Sequence, residues 1–254
     1  MLTIISPAKT LDFDPVALAP TEPRFPDDTD SLVRTARRQG IGGLARLMSI
    51  SDNLARLNRN RFRDFDIAAE KPAIHAFAGD TYSGLDAATL SEDALRHAQD
   101  HLRILSGLYG LLRPRDAIRP HRLEMGTRLP TRRGRDLYAF WGDRLAHALN
   151  ADAAAAGTDL LLNCASREYF AAADRPALRL RVVTPTFLEE RPGGPKIVSF
   201  AAKRARGAMA RFVVENRLTD PDDLRAFAAG GYRWQAEGST SDAPVFLRGE
   251  AAAA

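Results

Sequence analysis

Residues 196–216, KIVSFAAKRARGAMARFVVEN, decide how this chain is read. The apolar, partly β-branched start, residues 196–200, predicts a buried strand. Ser199 then caps a helix beginning near Ala201. At about 100° per residue, Ala201, Ala205, Ala208, Met209, Phe212, Val213 and Asn216 fall on one stripe. Lys203, Arg204, Arg206 and Arg211 spread over the other side, with Gly207 among them. A glycine inside a helix costs about 1 kcal/mol relative to alanine; in return, something flat or backbone-like can approach closely. The charged face reads either as a solvated surface or as one that contacts phosphates.

The whole chain has 254 residues, 45% hydrophobic and 27% charged, enough to bury a substantial core in one large domain or two small ones. Its formal net charge is +4, and nearly all its cations are arginine; the lysines are Lys9, Lys71, Lys196 and Lys203. Cys164 is the sole cysteine, which excludes an internal disulfide and a cysteine-rich zinc site. No run approaches the 18 or so apolar residues of a membrane span, and no basic-then-apolar leader opens the chain. The expectation is a cytoplasmic protein with no membrane partner, whose basic charge points to nucleic acid or phosphorylated ligands.

From the N-terminus, residues 2–6 predict a short strand stopped by Pro7. Ser6, Lys9 and Thr10 are left at its carboxyl end, where open α/β sheets place ligands; a plain surface turn is the alternative. Residues 14–30, rich in Pro, Asp and Thr, read as a surface meander. Residues 31–62 read as helices interrupted at Gly40-Ile41-Gly42 and again at Ser51-Asp52. Helix, Gly-hydrophobic-Gly, helix, with Ala45 three residues on, outlines a helix-hairpin-helix element. Such a hairpin offers backbone N–H groups to a DNA phosphate without sequence preference, although the same spacing ends ordinary helix pairs. Arg37, Arg38 and Arg46 supply charge around it.

Residues 73–78 alternate as a strand does, and a turn-rich connection follows. Ser91 predicts a helix start with Glu92 and Asp93 in the first turn. His97 and His101 stand at i, i+4 but lack a third ligand, so no metal site is expected. In residues 102–126 a buried segment around Leu105 and Leu108 precedes bends at Pro114 and Pro120. Arg103, Arg113, Arg119, His121 and Arg122 there form either a packed loop or one wall of a cleft, and residues 107–110 are a second hairpin candidate. Residues 136–149 predict one amphipathic helix with Phe140 and Trp141 in the core. Residues 160–163 predict a buried strand that delivers Asn163, Ser166 and Glu168 to its end, for ligand binding or acid–base chemistry. Ser166 as a helix cap explains one of those three. Residues 178–189 read as a strand, RPGGP as a turn, Thr219 as a cap and residues 245–248 as a last strand, ahead of an alanine tail at 251–254.

Taken in order, MLTIISPAKTLDF, SISDNLA, AFAGDTYSGL, LRILSGLYGLLRP, HRLEMGTRL, DLYAFWGD, NCASREYF and KRARGAMARFVVENRL resemble the YaaA family of bacterial peroxide-stress proteins over nearly the whole chain. The resemblance implies a single compact α/β (α+β) domain over 1–254, a mixed sheet wrapped by helices with a helix-hairpin-helix element and a basic cleft. It also implies DNA binding with little sequence preference during the response to hydrogen peroxide, in a setting where loss of the protein is tied to iron and DNA damage. It brings no established reaction.

Two functional expectations follow. The first is a binder of double-stranded or branched DNA, with no cofactor, contacting it through Lys9, Arg37, Arg38, Gly40, Gly42, Arg46, Arg103, Arg113, Lys203, Arg204, Arg206, Gly207 and Arg211. The second is an enzyme acting on a nucleotide or damaged DNA, with Lys9, Asn163, Glu168 and Lys203 converging at strand ends. A lysine of lowered pKa would there serve as nucleophile or base. Iron sequestration is a third and weaker reading, because no clustered ligand set is visible.

Overall fold

Leu2–Ile5 carries four apolar or β-branched residues in succession, and all are buried. A strand without alternation is one covered on both faces. In this structure, a computed structural model that describes residues 1–249, it is the middle of a five-stranded sheet. It pairs in parallel with Leu102–Ser106 on one side and Leu160–Cys164 on the other. Gly110–Leu112 extends the first side antiparallel, and Arg181–Val183 the second in parallel. The alanine tail expected at 251–254 lies outside the described residues.

The chain thus builds outward on one flank and then crosses to the other. Ile5 stands level with both Ile104 and Cys164. The residues after Ile5 and Cys164 therefore emerge side by side at the carboxyl edge, where a reversal of strand order opens a crevice. A second, three-stranded sheet joins Thr186–Glu189, Val245–Arg248 and Tyr232–Gln235. There Phe187 stacks on Phe246 and meets Phe227 edge-on, with ring centroids 5.5 and 5.9 Å apart. A single hydrophobic core runs beneath both sheets.

The long helix spans Ser199–Asn216, and Ala205, Met209 and Val213 are buried as the periodicity requires. Its approach differs from the expectation of a strand over 196–200. Lys196 makes one isolated bridge to Glu189, while Ile197 and Phe200 are each 61% exposed, so nothing covers a strand there. Ser199 is the first helical residue rather than the cap.

Gly207 is buried, and its neighbour is a helix that the sequence reading took for a turn, Asp80–Leu85. A Cβ on Gly207 would lie 1.7 Å from the Thr81 carbonyl oxygen, and one on Gly84 would lie 1.9 Å from that of Arg204. The two helices therefore meet backbone to backbone through reciprocal glycines. Arg211 pins the far end, donating to the carbonyl oxygens of Leu85 (3.3 Å) and Asp86 (2.9 Å) and to Thr89 Oγ1 (2.7 Å).

Other local expectations shift for similar reasons. The alternating residues 73–78 form a helical turn, Ala73–Ala76, before Phe77–Ala78 pairs with Thr10–Leu11. The first helix begins earlier, at Pro26, and runs to Arg37. The aromatic helix breaks at Gly142, whose φ of 51° separates Leu137–Trp141 from Arg144–Ala155. Residues 107–109 close a β-hairpin, not a helical one. Residues 178–189 divide between the two sheets, and Asp220 rather than Thr219 caps the segment Pro221–Ala226. Ser91 caps its helix as expected, accepting from Ala94 N–H at 3.1 Å.

The reciprocal glycine contact has a measurable consequence. Gly207→Ala is expected to destabilise the fold by about 2–4 kcal/mol, because the clash is with backbone that cannot rotate away. Urea unfolding of the variant against the wild-type chain tests it; an unchanged midpoint would mean that the helices do not touch there.

Candidate functional site

A cavity of about 360 Å³ opens where Leu2–Ile5 and Leu160–Cys164 end. Ser6 and Ser166 hold the two strand ends together: Ser166 N–H donates to Ser6 Oγ at 2.8 Å, and the Ser6 hydroxyl donates to Ser166 Oγ at 3.3 Å. Beneath them, Tyr82 OH donates to the Ser6 carbonyl at 3.2 Å. Burial pushes the phenols of Tyr82 and Tyr169 up, so both stay neutral donors.

Around this floor, Lys9 comes from the loop after the first strand, Asp80 from the short helix and Glu168 from the turn after Cys164. Lys203 and Arg206 come from the long helix. Spacing of i, i+3 puts the last two on one helix face. Lys9 Nζ lies 3.3 Å from Glu124, a carboxylate it shares with Arg122 at 2.9 Å. Glu168 is held by the Gly126 N–H, which donates to its Oε1 at 2.9 Å. Among the described residues neither Lys203 nor Arg206 has a carboxylate within 4.0 Å.

Lys9, Glu168 and Lys203 therefore share one cavity, as the second functional expectation required, but Asn163 stands apart from it. Its side-chain oxygen accepts from Ala165 N–H (3.0 Å) and its amide donates to Thr184 (3.3 Å), so it shapes the turn. Cys164 lines the cavity, yet burial pushes its thiol up to about 12 against the pull of Arg206. It is a protonated thiol near neutral pH, not a nucleophile.

Two further grooves lie along the helices on either side of residues 38–40. One, of about 550 Å³, is lined by Gln39, Gly43, Arg46, Leu47, Ser49, Gly126, Arg128 and Pro130. The other, of about 580 Å³, shares Pro130 and adds Arg34, Arg38, Arg132 and Arg133 over Phe140. Among the described residues no Asp or Glu lines either groove. Arg133 pairs with Asp28 and lies 4.7 Å over the Phe140 ring. Arg34, Arg38, Arg46, Arg128 and Arg132 have no ion pair among the described residues. Gly126 lines the first groove and holds Glu168 of the cavity, so cavity and grooves adjoin.

The helices Pro26–Arg37 and Ile41–Met48 flank the connection at 38–40. Gly40 precedes the second helix with no side-chain cap bond. A Cβ on Gly40 would meet nothing within 4 Å, and one on Gly42 only Arg46 Nη1 at 3.6 Å. Neither glycine has positive φ. The fold itself does not require glycine at either position, and no side chain caps the first turn of the helix.

Several arginines expected at the interface are used inside the molecule. Arg37 donates to Phe62 O and Asp66, each at 2.7 Å. Arg103 is buried against Asp152 at 2.6 Å, and Arg113 bonds Asp116 (3.0 Å) and the Glu22 carbonyl (2.9 Å). Arg211 and Gly207 join the two helices, as described above. Arg204 is exposed on the long helix and does not line the cavity. Arg34, Arg128 and Arg132 are absent from the sequence-based expectation; for Arg128 and Arg132 the signal available was the acid-free run TRLPTRRGR over 127–135. The rings of His97 and His101 stack at 4.1 Å, and no group of three metal-ligating side chains occurs among the described residues.

A family model described as "Peroxide stress protein YaaA" matches residues 1–238. A UPF0246 protein of Cereibacter sphaeroides is 62% identical over 255 residues, covering 98% of this chain and 99% of the relative. One from Ruegeria pomeroyi is 58% identical over 252 residues, covering 98% of each. A third, from Jannaschia sp., is 59% identical over 254 residues, covering 99% and 98%.

His121, beside Lys9 in a narrow gap, gives this region a pH dependence. Its Nδ1 lies 2.7 Å from Arg119 O, and burial lowers its pKa to about 4 despite that bond. Unfolded histidine titrates near 6.5, so the unfolded chain binds the extra proton first. Stability is full above about pH 6.5 and falls toward pH 4, by up to about 3 kcal/mol from this residue. Urea unfolding across that range should show a shallower loss in His121→Gln than in the wild-type chain; parallel profiles would rule the assignment out. His97, lowered to about 4 as well, contributes equally to both proteins.

Proposed function

The chain belongs to the peroxide stress protein YaaA family, and from that premise we propose that it is a DNA-binding protein of the oxidative stress response. It takes duplex or branched DNA by its phosphates, with little sequence preference. The observation that carries this reading is the pair of adjoining grooves lined by arginines and, among the described residues, by no carboxylate, beside the helix start at Gly40, which no side chain caps. Unpaired guanidiniums gathered without acids repel one another, and a polyanion removes that cost. Such contacts position a protein on DNA without reading bases. Protection against iron-linked damage belongs to the same proposal, since an occupied backbone is a shielded one.

Affinity should fall steeply with salt, because each neutralised phosphate releases condensed counterions. Arg46→Ala combined with Arg128→Ala is expected to weaken binding to all duplex sequences alike. It should also flatten the log–log salt slope by about 1.8, at about 0.9 for each phosphate no longer neutralised. Fluorescence anisotropy with labelled duplexes measures both; binding equal to the wild-type chain at every salt concentration would sink the proposal.

Gly42→Ala separates stability from function. Alanine in the helix's first turn should stabilise the fold by about 0.5–1 kcal/mol. Its methyl group should at the same time weaken DNA binding by standing between the N–H groups and the phosphate. Unfolding and anisotropy on the same sample decide this, and unweakened binding would remove the hairpin from the interface.

A further inference from the structure

We propose that the cavity at the carboxyl edge of the sheet holds a single nucleotide unit. Lys203, Arg206 and Ser166 take its phosphate, and Glu168 and Asp80 take donors on its base or sugar. The inference rests on the DNA-binding reading only where that nucleotide belongs to a strand.

The argument begins with the contrast between cavity and grooves. The grooves carry arginine without acid, which suits bare phosphates. The cavity sets Lys203 and Arg206, unpaired among the described residues, against the exposed carboxylates of Asp80 and Glu168. A surface for phosphate alone has no use for these acids, which would repel it. Ionised carboxylates are acceptors only, so they call for a ligand with N–H or O–H donors as well as an anionic group. A nucleotide has both.

Size and shape agree. A volume of about 360 Å³ falls at the small end of ligand cavities, which run from about 300 to 1,000 Å³. Glu168 is held in place by the Gly126 N–H at 2.9 Å, so the acceptor is ordered before any ligand arrives. Phe200, 61% exposed, stands one helical turn before Lys203 on the same helix face. It has no packing role that would account for an aromatic ring there. One turn from Lys203, it offers a flat surface on which a base can stack. The nucleotide has two sources: a free mononucleotide, or an unpaired nucleotide of a strand lying in the neighbouring arginine groove, which Gly126 joins to the cavity.

The test titrates the full chain with deoxynucleoside monophosphates and with inorganic phosphate by calorimetry. In parallel, a bubbled duplex carrying an unpaired 2-aminopurine is followed by fluorescence. The variants are Lys203→Ala with Arg206→Ala, Glu168→Gln, Phe200→Ala, and the groove pair Arg46→Ala with Arg128→Ala; circular dichroism checks that each folds. Monophosphates are expected to bind about tenfold or more tightly than phosphate. They should lose about that factor in Lys203→Ala/Arg206→Ala and be unaffected by the groove pair. The 2-aminopurine signal should change on binding and revert in Phe200→Ala. A response to monophosphates alone assigns the free nucleotide, and a response to 2-aminopurine alone assigns the strand. No response from either probe, or responses insensitive to Lys203→Ala/Arg206→Ala, would overturn the cavity assignment even with duplex binding intact. A wild-type chain that binds monophosphates but no duplex would instead strike the DNA-binding reading.

Discussion

Two helices touch backbone to backbone where Gly207 faces Thr81 and Gly84 faces Arg204, and the geometry of the site depends on that contact. No pair of side chains could bring the helix axes so close, because any Cβ would have to occupy the space of a carbonyl oxygen. The approach lays the long helix beside the strand ends. Arg206, next to Gly207 in the chain, and Lys203, one turn earlier, are thereby set at the cavity mouth opposite Lys9 and Glu168. The glycine that looked like an opening for a ligand is filled by the protein itself. Its contribution to the site is to place cations, not to admit a phosphate.

The arginines sort into two populations with different physics. Arg37, Arg103, Arg113 and Arg211 donate to carbonyls and carboxylates across long sequence separations and act as struts. For Arg103, buried with Asp152 and joined there by Arg24, removing one partner would strand a charge in a poor solvent. Arg34, Arg38, Arg46, Arg128 and Arg132 have no such partners among the described residues and face two adjoining grooves. A formal net charge of +4 describes neither group. The functional quantity is local: where cations remain after the internal pairs are made.

Cavity and grooves also differ in how solvent and charge are arranged. In the cavity, buried phenols and a buried thiol are held neutral while lysine, arginine and carboxylate stand at the wall. In the grooves the charge among the described residues has one sign, and the helix that starts at Ile41 beside them has no side-chain cap. Of the four lysines, Lys9 and Lys203 line the cavity, whereas Lys71 is buried against Asp12 at 3.0 Å and Lys196 is exposed, its backbone bridged to that of Glu189. Ammonium groups therefore stand at the cavity beside Arg206, whereas the cations lining the grooves are guanidinium alone.

The sequence alone determined that these strands are buried, because apolar or β-branched runs such as Leu2–Ile5 and the three leucines of 160–162 are stable only when covered on both faces. It also determined the stripe of the long helix, the caps at Ser91 and Ser166, and the placement of Lys9 and Glu168 at strand ends, all of which follow from local spacing. The short helix Asp80–Leu85 escaped it, since six residues carry too little periodicity to be distinguished from a turn. The strand expected over 196–200 failed because an apolar run does not reveal whether a neighbour exists to cover it. Which arginines remain free was decided only by the tertiary structure. Pairing is a property of distance in space, and Arg37 and Arg38 are adjacent in the chain yet opposite in fate, one bound to Phe62 and Asp66, the other open to a groove.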